Sequence, residues 1–467
     1  MGDLILALDI GTSRLRSALF DEAANPLHSP VASVPTGLET GADGRAILDP
    51  FALLESVGEI IERCTRRVDR SRIRAVGGSC MWHSLLGVDR AGRPSTPILT
   101  WADTRSTPDA AALRTEIDES RAHARTGCML RPSYWPAKSR WLARTHPREF
   151  SSTRHWLGTA EWLWWQLGAG RACSASMASG TGFFETGTPN WDARLLHGCG
   201  ISRDQLPRVS DDPGEGPIGS AGWFPAIGDG AASNLGTGAA GPGWATINLG
   251  TSAAFRVVSD RTGPDPPFGL FKYRLDLERF VIGGATSNAG NVRAWCIREL
   301  QLPDSHALDA AMAQRPLPEH GLTVLPYWSG ERAPRWRESV TGTITGIRQS
   351  TNAIDIYQAI TEATYYRIAE IADLVVGRGD VDIVVSGGGC RSRSELQRLA
   401  NVLGRPVRAA TDPEASLRGA AVFVLERLGV RVPTPPASDP LEPDRFAVER
   451  YAELRSRQAA LDARLGL

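Results

Sequence analysis

A displacement of 239 positions lays Leu4 to Asp21 over Gly243 to Asp260. In both copies an apolar run reaches a Gly-Thr-Ser turn (Gly11-Thr12-Ser13 and Gly250-Thr251-Ser252) and a second run leaves it. Each copy reads as strand, tight turn, strand. Beyond the turn only Asp21 and Asp260 are identical, so chance similarity is the other reading. Duplication constrains the chain more strongly: two related halves, built alike and facing each other. The length of 467 residues suits two large domains or roughly three of ordinary size.

Each half continues with alternating strand and helix signals, which predicts α/β layers. Ile356, Ile360, Thr364, Ile368, Ile371 and Val375 recur at spacings of three or four, predicting one long helix that stops at Gly377-Arg378-Gly379. Val381 to Val385 then reads as a buried strand feeding Ser386-Gly387-Gly388-Gly389, the kind of junction where α/β proteins hold ligands. The halves are expected to meet near Gly236 to Gly243, giving domains 1–242 and 243–467. That stretch also fits GxGxxG, but no strand signal precedes it and Pro242 follows, so a loop is the better reading. Pro433 to Asp444 reads as a surface loop before a final amphipathic helix.

Charge narrows the function classes. The 52 basic and 52 acidic residues cancel, so no long-range field favours nucleic acid or an anionic membrane. Lysine occurs only as Lys138 and Lys272, and neither follows a glycine, so any nucleotide is handled without a GK[ST] phosphate loop. Seven dispersed cysteines without a CxxC pair point to a reducing compartment, the cytoplasm. Met1-Gly2-Asp3 leads directly into an apolar strand without a basic leader, and no apolar run approaches ~20 residues.

Two equivalent Gly-Thr-Ser turns offer backbone N–H groups and hydroxyls, the donors that polyphosphate oxygens need. Asp9 ends the strand before the first turn, where a carboxylate can hold Mg²⁺ beside phosphates; a turn-capping aspartate is the other reading. Its counterpart is the uncharged Asn248, which suits one metal site rather than two. Asp229 lies between Gly228 and Gly230, where the backbone can bend tightly and a ligand can come close, so it is a candidate acceptor of a hydroxyl proton. Trp156, Trp162, Trp164 and Trp165 read as helix packing rather than sugar stacking.

Over almost its full length the chain resembles the FGGY carbohydrate kinases, within the superfamily that includes actin, hexokinase and the heat-shock chaperone ATPases. Asp9 to Ser13 looks like that family's first phosphate motif and Asn248 to Ser252 like its second. Ser386 to Gly389 with Glu414 to Ala421 is similar to its adenosine-binding region, and Leu325 to Trp336 to another family block. Met81 to Leu86, Thr100 to Ser106, Pro132 to Lys138 and Ser176 to Gly182 are most similar to the gluconate kinases within the family. The chain departs from the family pattern near Ser392-Arg393, where an Asn is usual, and at Ser174, where an Asp is common.

The resemblance implies an α/β fold of two related ribonuclease-H-like domains facing a central cleft. It implies Asp229 as general base and Asp9, with Asp229, as the Mg²⁺ side of an ATP site. Gly11, Thr12, Ser13, Arg16, Gly250, Thr251 and Ser252 would meet the phosphates; Gly290, Gly387, Gly388, Gly389, Ser392 and Arg393 would flank the adenosine. Trp82, His83, Ser84, Trp101, Asp103, Arg105, Tyr134 and Asp229 would line the acceptor pocket. An aldonate would add a carboxylate for a cation to meet, with Arg105 or His83 as candidates. The expected activity is ATP-dependent phosphorylation of the terminal hydroxyl of an open-chain sugar acid, gluconate first, with the halves closing over the cleft to exclude water. A kinase for xylulose or another polyol, and a noncatalytic nucleotide-gated protein of the actin type, are the alternatives. A homodimer is open; neither nucleic acid nor membrane is expected as a partner.

Overall fold

The computed structural model describes residues 3–27, 31–260, 265–315, 317–377 and 379–466. Strands β1 (Leu4–Ile10), β2 (Arg14–Phe20) and β3 (Ala32–Pro35) form an antiparallel meander, and β4 (Ile73–Cys80) adds to β1 in parallel. The short strands β5 (Gly222–Trp223) and β6 (Ile227–Gly228) then pair with β4, giving the order β5-β4-β1-β2-β3 with β6 beside β4. β1 is buried along all seven residues, as a strand covered on both faces must be.

The second half repeats this plan. β7 (Trp244–Leu249) and β8 (Ala253–Ser259) are the antiparallel pair around the second Gly-Thr-Ser turn. β9 (Phe271–Arg274) and β10 (Phe280–Thr286) extend the sheet on one side. On the other side β11 (Asp382–Ser386) and β12 (Val407–Ala409) add in parallel, so the order is β9-β10-β8-β7-β11-β12. Both sheets thus carry antiparallel strands on one flank and parallel ones on the other, the α/β arrangement expected of the duplicated unit.

Among the helices, α1 (Pro50–Thr65) covers the first sheet, with Asp49 capping its first turn and Leu53, Val57 and Ile60 facing inward. α2 (Asp229–Gly236) follows β6, and α3 (Gly290–Glu299) follows β10. The long periodic segment forms α4 (Ala353–Val376), opened by an Asn352/Asp355 capping box and ended at Gly377. Arg378 of that stop signal lies outside the described residues. α5 (Arg393–Leu403), α6 (Ala415–Arg427) and α7 (Arg445–Arg464) complete the second half, with α7 capped by Asp444 at the end of the Pro-rich loop. No helix among the described residues is long and apolar enough to cross a membrane.

One helix departs from its place in the sequence. α6 belongs to the second half, yet it packs on β1, β4 and α2 of the first, and Leu417, Phe423 and Val424 join the first core. The approach is backbone to backbone: a Cβ on Gly236 would lie 1.7 Å from the carbonyl oxygen of Ala415, and one on Gly419 would lie 1.7 Å from that of Ala232. The expectation of a loop over Gly236 to Gly243 therefore needs correcting at its first residue, which ends α2 and where close helix packing is what demands glycine. The loop proper begins after it, with Gly238 and Gly243 in left-handed conformation.

β9 makes a second crossing. Lys272 N–H donates to the Gly127 carbonyl at 3.1 Å, Arg274 N–H donates to Ser179 Oγ at 2.7 Å, and the Tyr134 and Tyr273 hydroxyls are 2.7 Å apart. The two halves are thus joined at two places, through α6 and through β9.

Candidate active site

β1 carries Asp9 to its end and buries it to 2% exposure. Across the hairpin, Arg16 pairs with it at 2.7 Å and reaches Glu414 of the second half at 2.6 Å. Burial raises the Asp9 carboxyl above the usual carboxylate range, with Arg16 pulling in the other direction. Burial pushes Asp229 up as well; Arg256 opposes the shift and the nearby Asp9 charge adds to it. The two acids thus lie within each other's field. Asp229 is the first residue of α2, where the helix N-terminus favours an anion.

The glycines around Asp229 are explained differently from the sequence expectation. A Cβ on Gly228 would lie 1.8 Å from Trp82 Cε2, and one on Gly230 would lie 2.6 Å from Trp82 Cζ3. They admit the Trp82 indole, whose Nε1 donates to the Ser176 carbonyl at 3.1 Å.

Two cavities meet at the second Gly-Thr-Ser turn. One, of about 210 Å³, is lined by Thr12, Trp82, His83, Trp101, Asp229 and Ser252 together with Arg256, Tyr273 and Arg332. The other, of about 380 Å³, is lined by Gly250, Thr251, Gly290, Gly388 and Gly389 with Arg293 and Tyr365. Thr251 and Ser252 are chain neighbours on different cavities, so this turn is the wall between them. The first turn reaches the smaller cavity from the other half through Thr12, whose Oγ1 accepts from Trp101 Nε1 at 2.8 Å.

His83 has left-handed backbone, with φ +68°, a costly conformation for a non-glycine residue that the surroundings must enforce. Its Nδ1 is 2.5 Å from the Gly180 carbonyl, so the proton sits on Nδ1 and Nε2 is left as an acceptor. Burial holds its pKa down to about 3, and Arg332 and Lys138 push the same way, so the ring is neutral. This removes His83 as a cation for a substrate carboxylate. Arg105 is committed elsewhere: its guanidinium pairs with the buried Asp103 at 2.7 Å and lies over Trp141 at 4.4 Å. Asp103 also accepts from the Ala46 N–H, and neither residue lines the cavity.

The remaining expected residues divide. Tyr134 is buried behind His83 and Tyr273, with ring centroids 4.7 Å from His83. Ser84 Oγ accepts from Thr159 N–H at 3.2 Å and serves packing. Gly11 and Ser13 flank Thr12 in its turn, and Gly387 leads β11 into the glycines of the larger cavity. Ser392 caps α5, Arg393 opens that helix, and neither lines the larger cavity. Ser174, at the other departure from the pattern, caps a short helix and donates to the Ala226 carbonyl at 2.6 Å. The tryptophans are packing groups as expected: Trp162 and Trp164 donate to the Gly92 and Phe224 carbonyls at 2.9 and 2.8 Å.

Sequence reasoning missed Arg256, Tyr273 and Arg332, all from the second half, and Arg293, which donates to the Tyr357 hydroxyl at 2.9 Å in the larger cavity. Arg332 stood in a recognised block, Leu325 to Trp336, without a role. Arg256 lies on a strand where a charged residue reads as solvent-facing.

The model of the FGGY family of carbohydrate kinases, N-terminal domain, matches residues 4–213, and that of the C-terminal domain matches residues 245–425. The gluconokinase of Bacillus subtilis (strain 168) is 28% identical over 92% of this chain and 88% of its own length. The xylulose kinase of Streptomyces rubiginosus is also 28% identical, over 90% of this chain and 87% of its own. The crystal structure of gluconate kinase from Lactobacillus acidophilus superposes with a TM-score of 0.91 at 24% identity, covering 99% of this chain and 98% of that one. Paired strand-turn-strand units, two cavities meeting at the second turn and matches to both domain models agree: the chain belongs to the FGGY family of carbohydrate kinases.

Proposed function

We propose that this kinase transfers the γ-phosphoryl group of ATP to the terminal primary hydroxyl of an open-chain sugar acid, D-gluconate first, giving 6-phosphogluconate. The observation that carries the reading is the common wall: the Thr251-Ser252 turn separates a glycine-lined cavity fit for a nucleotide from a polar one that contains Asp229. ATP occupies the larger cavity with its phosphates at the two Gly-Thr-Ser turns, and the acceptor occupies the smaller. As the acceptor oxygen bonds to the γ-phosphorus, its proton passes to the Asp229 carboxylate and the bond from phosphorus to the β-phosphate oxygen breaks, releasing ADP. An acid raised by burial is a stronger base than an exposed aspartate, which suits proton removal near neutral pH. Neutral His83 offers Nε2 to a substrate hydroxyl, and the fixed turn donors position the reactants, the main source of rate in phosphoryl transfer.

The residues present also fit Mg²⁺. Among the described residues no set of three or more His, Cys, Asp or Glu side chains could hold a metal alone. Asp9 and Asp229 are buried acids, and magnesium commonly takes one or two carboxylates plus phosphate oxygens and water. When bound it supplies neutralising charge to the phosphoryl oxygens.

Similarity to gluconokinase and an acceptor cavity holding two arginines support the acid over a neutral sugar, whereas equal identity to a xylulose kinase supports the ketose. An ATP-coupled screen of aldonates, ketoses and polyols tests this. Gluconate is expected to give the highest kcat/KM; a ketose exceeding it tenfold would overturn the acid assignment.

A further inference from the structure

In the acceptor cavity one cation makes no ion pair among the described residues, although the cavity's one carboxylate, Asp229, lies within its field. Arg332 lines it, with the guanidinium carbon 5.5 Å from the Trp101 ring centroid and 5.6 Å from that of Trp336, and with Nε buried and lacking a hydrogen-bond partner. The backbone beneath is fixed: Trp336 N–H donates to the Arg332 carbonyl at 2.8 Å, and Ala333 N–H donates to the Ala285 carbonyl at 3.1 Å. Trp336 is held in left-handed conformation, with φ +55°. The neighbouring acid Glu331 is taken by Arg335, Arg337 and Arg367 and supplies nothing to Arg332.

The other cations near the cavity are placed differently, and Arg256, whose Nε also lacks a hydrogen-bond partner, faces Asp229. Arg256 is the main charge opposing the upward shift of Asp229. Lys138 Nζ donates to the His83 carbonyl at 2.6 Å from behind the cavity wall. Arg105 pairs with Asp103, and Arg131 lies between Glu119 and Glu338 at 3.2 and 3.0 Å. A guanidinium held beside two indole faces still has N–H groups to offer, and a carboxylate can accept from them through two parallel hydrogen bonds.

We propose that Arg332 is the specificity residue for acidic acceptors, pairing its guanidinium with the carboxylate of the sugar acid. This rests on the sugar-acid reading above and identifies the group that produces it. The assignment replaces the Arg105 and His83 expectation, since one is bound internally and the other uncharged.

The test compares gluconate with glucitol, which has a hydroxymethyl group where gluconate has the carboxylate, in wild type, Arg332→Gln and Arg332→Lys. Dissociation constants by calorimetry accompany kcat/KM. Losing a hydrogen-bonded charge partner should weaken gluconate about 10- to 150-fold in Arg332→Gln and less in Arg332→Lys, with glucitol changing less than about threefold. ADP affinity serves as the folding control, and Arg332→Lys carries the comparison if Arg332→Gln does not fold. Equal losses on both ligands, or unchanged gluconate binding, would overturn the proposal. Wild type that uses ketoses and binds no aldonate would instead sink the sugar-acid reading, and the Arg332 assignment with it; the wild-type arm alone tells these failures apart.

Discussion

Asp229→Asn is expected to slow the chemical step severely without harming the fold. Asp229 is the sole carboxylate among the described residues lining the acceptor cavity, and the adjacent imidazole, His83, is held down to a pKa of about 3 and is a feeble base. No other side chain lining the cavity is a comparable base, so the loss belongs in the upper part of the general-base range, about 10³- to 10⁴-fold in kcat, or about 4 to 5 kcal/mol of barrier. Stability should move the other way. Because the folded-state pKa of Asp229 is raised, the native protein holds the proton more tightly than the unfolded chain. Folding stability therefore falls as pH rises from the ordinary carboxylate range through the raised value, and the deficit persists at neutral pH. The amide lifts that deficit, so the variant should melt no lower than wild type at pH 7 to 8, and the difference should vanish in acid. Single-turnover kinetics with saturating ATP and acceptor, alongside thermal melts at several pH values, read both effects. A variant within tenfold of wild-type kcat, with ADP binding intact, would refute the base assignment; a large drop in melting temperature would refute the electrostatic reasoning.

Arg16→Ala strips the buried Asp9 of its counter-charge and the interlobe pair of its bridge, and should cost about 1 to 3 kcal/mol in urea unfolding. A change below about 0.5 kcal/mol would mean that the pair is solvated and idle. Gly419→Ala drives a methyl into the Ala232 carbonyl, so α2 and α6 must separate; a loss of about 1 to 3 kcal/mol is expected by the same measurement, and a neutral result would contradict the close contact. His83 carries a pH signature. Its folded pKa lies near 3 against an ordinary 6.5, so stability is full above pH 6.5 and declines as pH falls towards 3. His83→Asn should flatten that acid limb in melts between pH 4 and 7, and an unchanged slope would show that other groups dominate.

The hairpins around Gly11-Thr12-Ser13 and Gly250-Thr251-Ser252 were legible because a turn flanked by apolar runs is a local signal, and so was α4, whose stripe repeats over many turns. The partners of those turns were not. Whether Arg256 on β8 looks into a cavity or into water depends on what covers its face of the sheet, a tertiary fact with no sequence period. Arg105 and His83 look from the sequence like cations for a carboxylate because nothing there tells that Asp103 folds back onto Arg105, or that burial leaves the imidazole neutral. The placement of α6 was hidden for a related reason: its small residues, Gly419 among them, record that another helix comes close, but not which one.

That placement governs what the gene can be divided into. Carving the protein at its duplicated seam, between 242 and 243, would strip the leading fragment of α6 and leave a bare oily flank over β1 and β4, while the trailing fragment would carry α6 with nothing to rest on and β9 without its first-half partners. Residues of both halves share one packed core across the seam, and rearrangement that keeps the fold has to move the whole chain together.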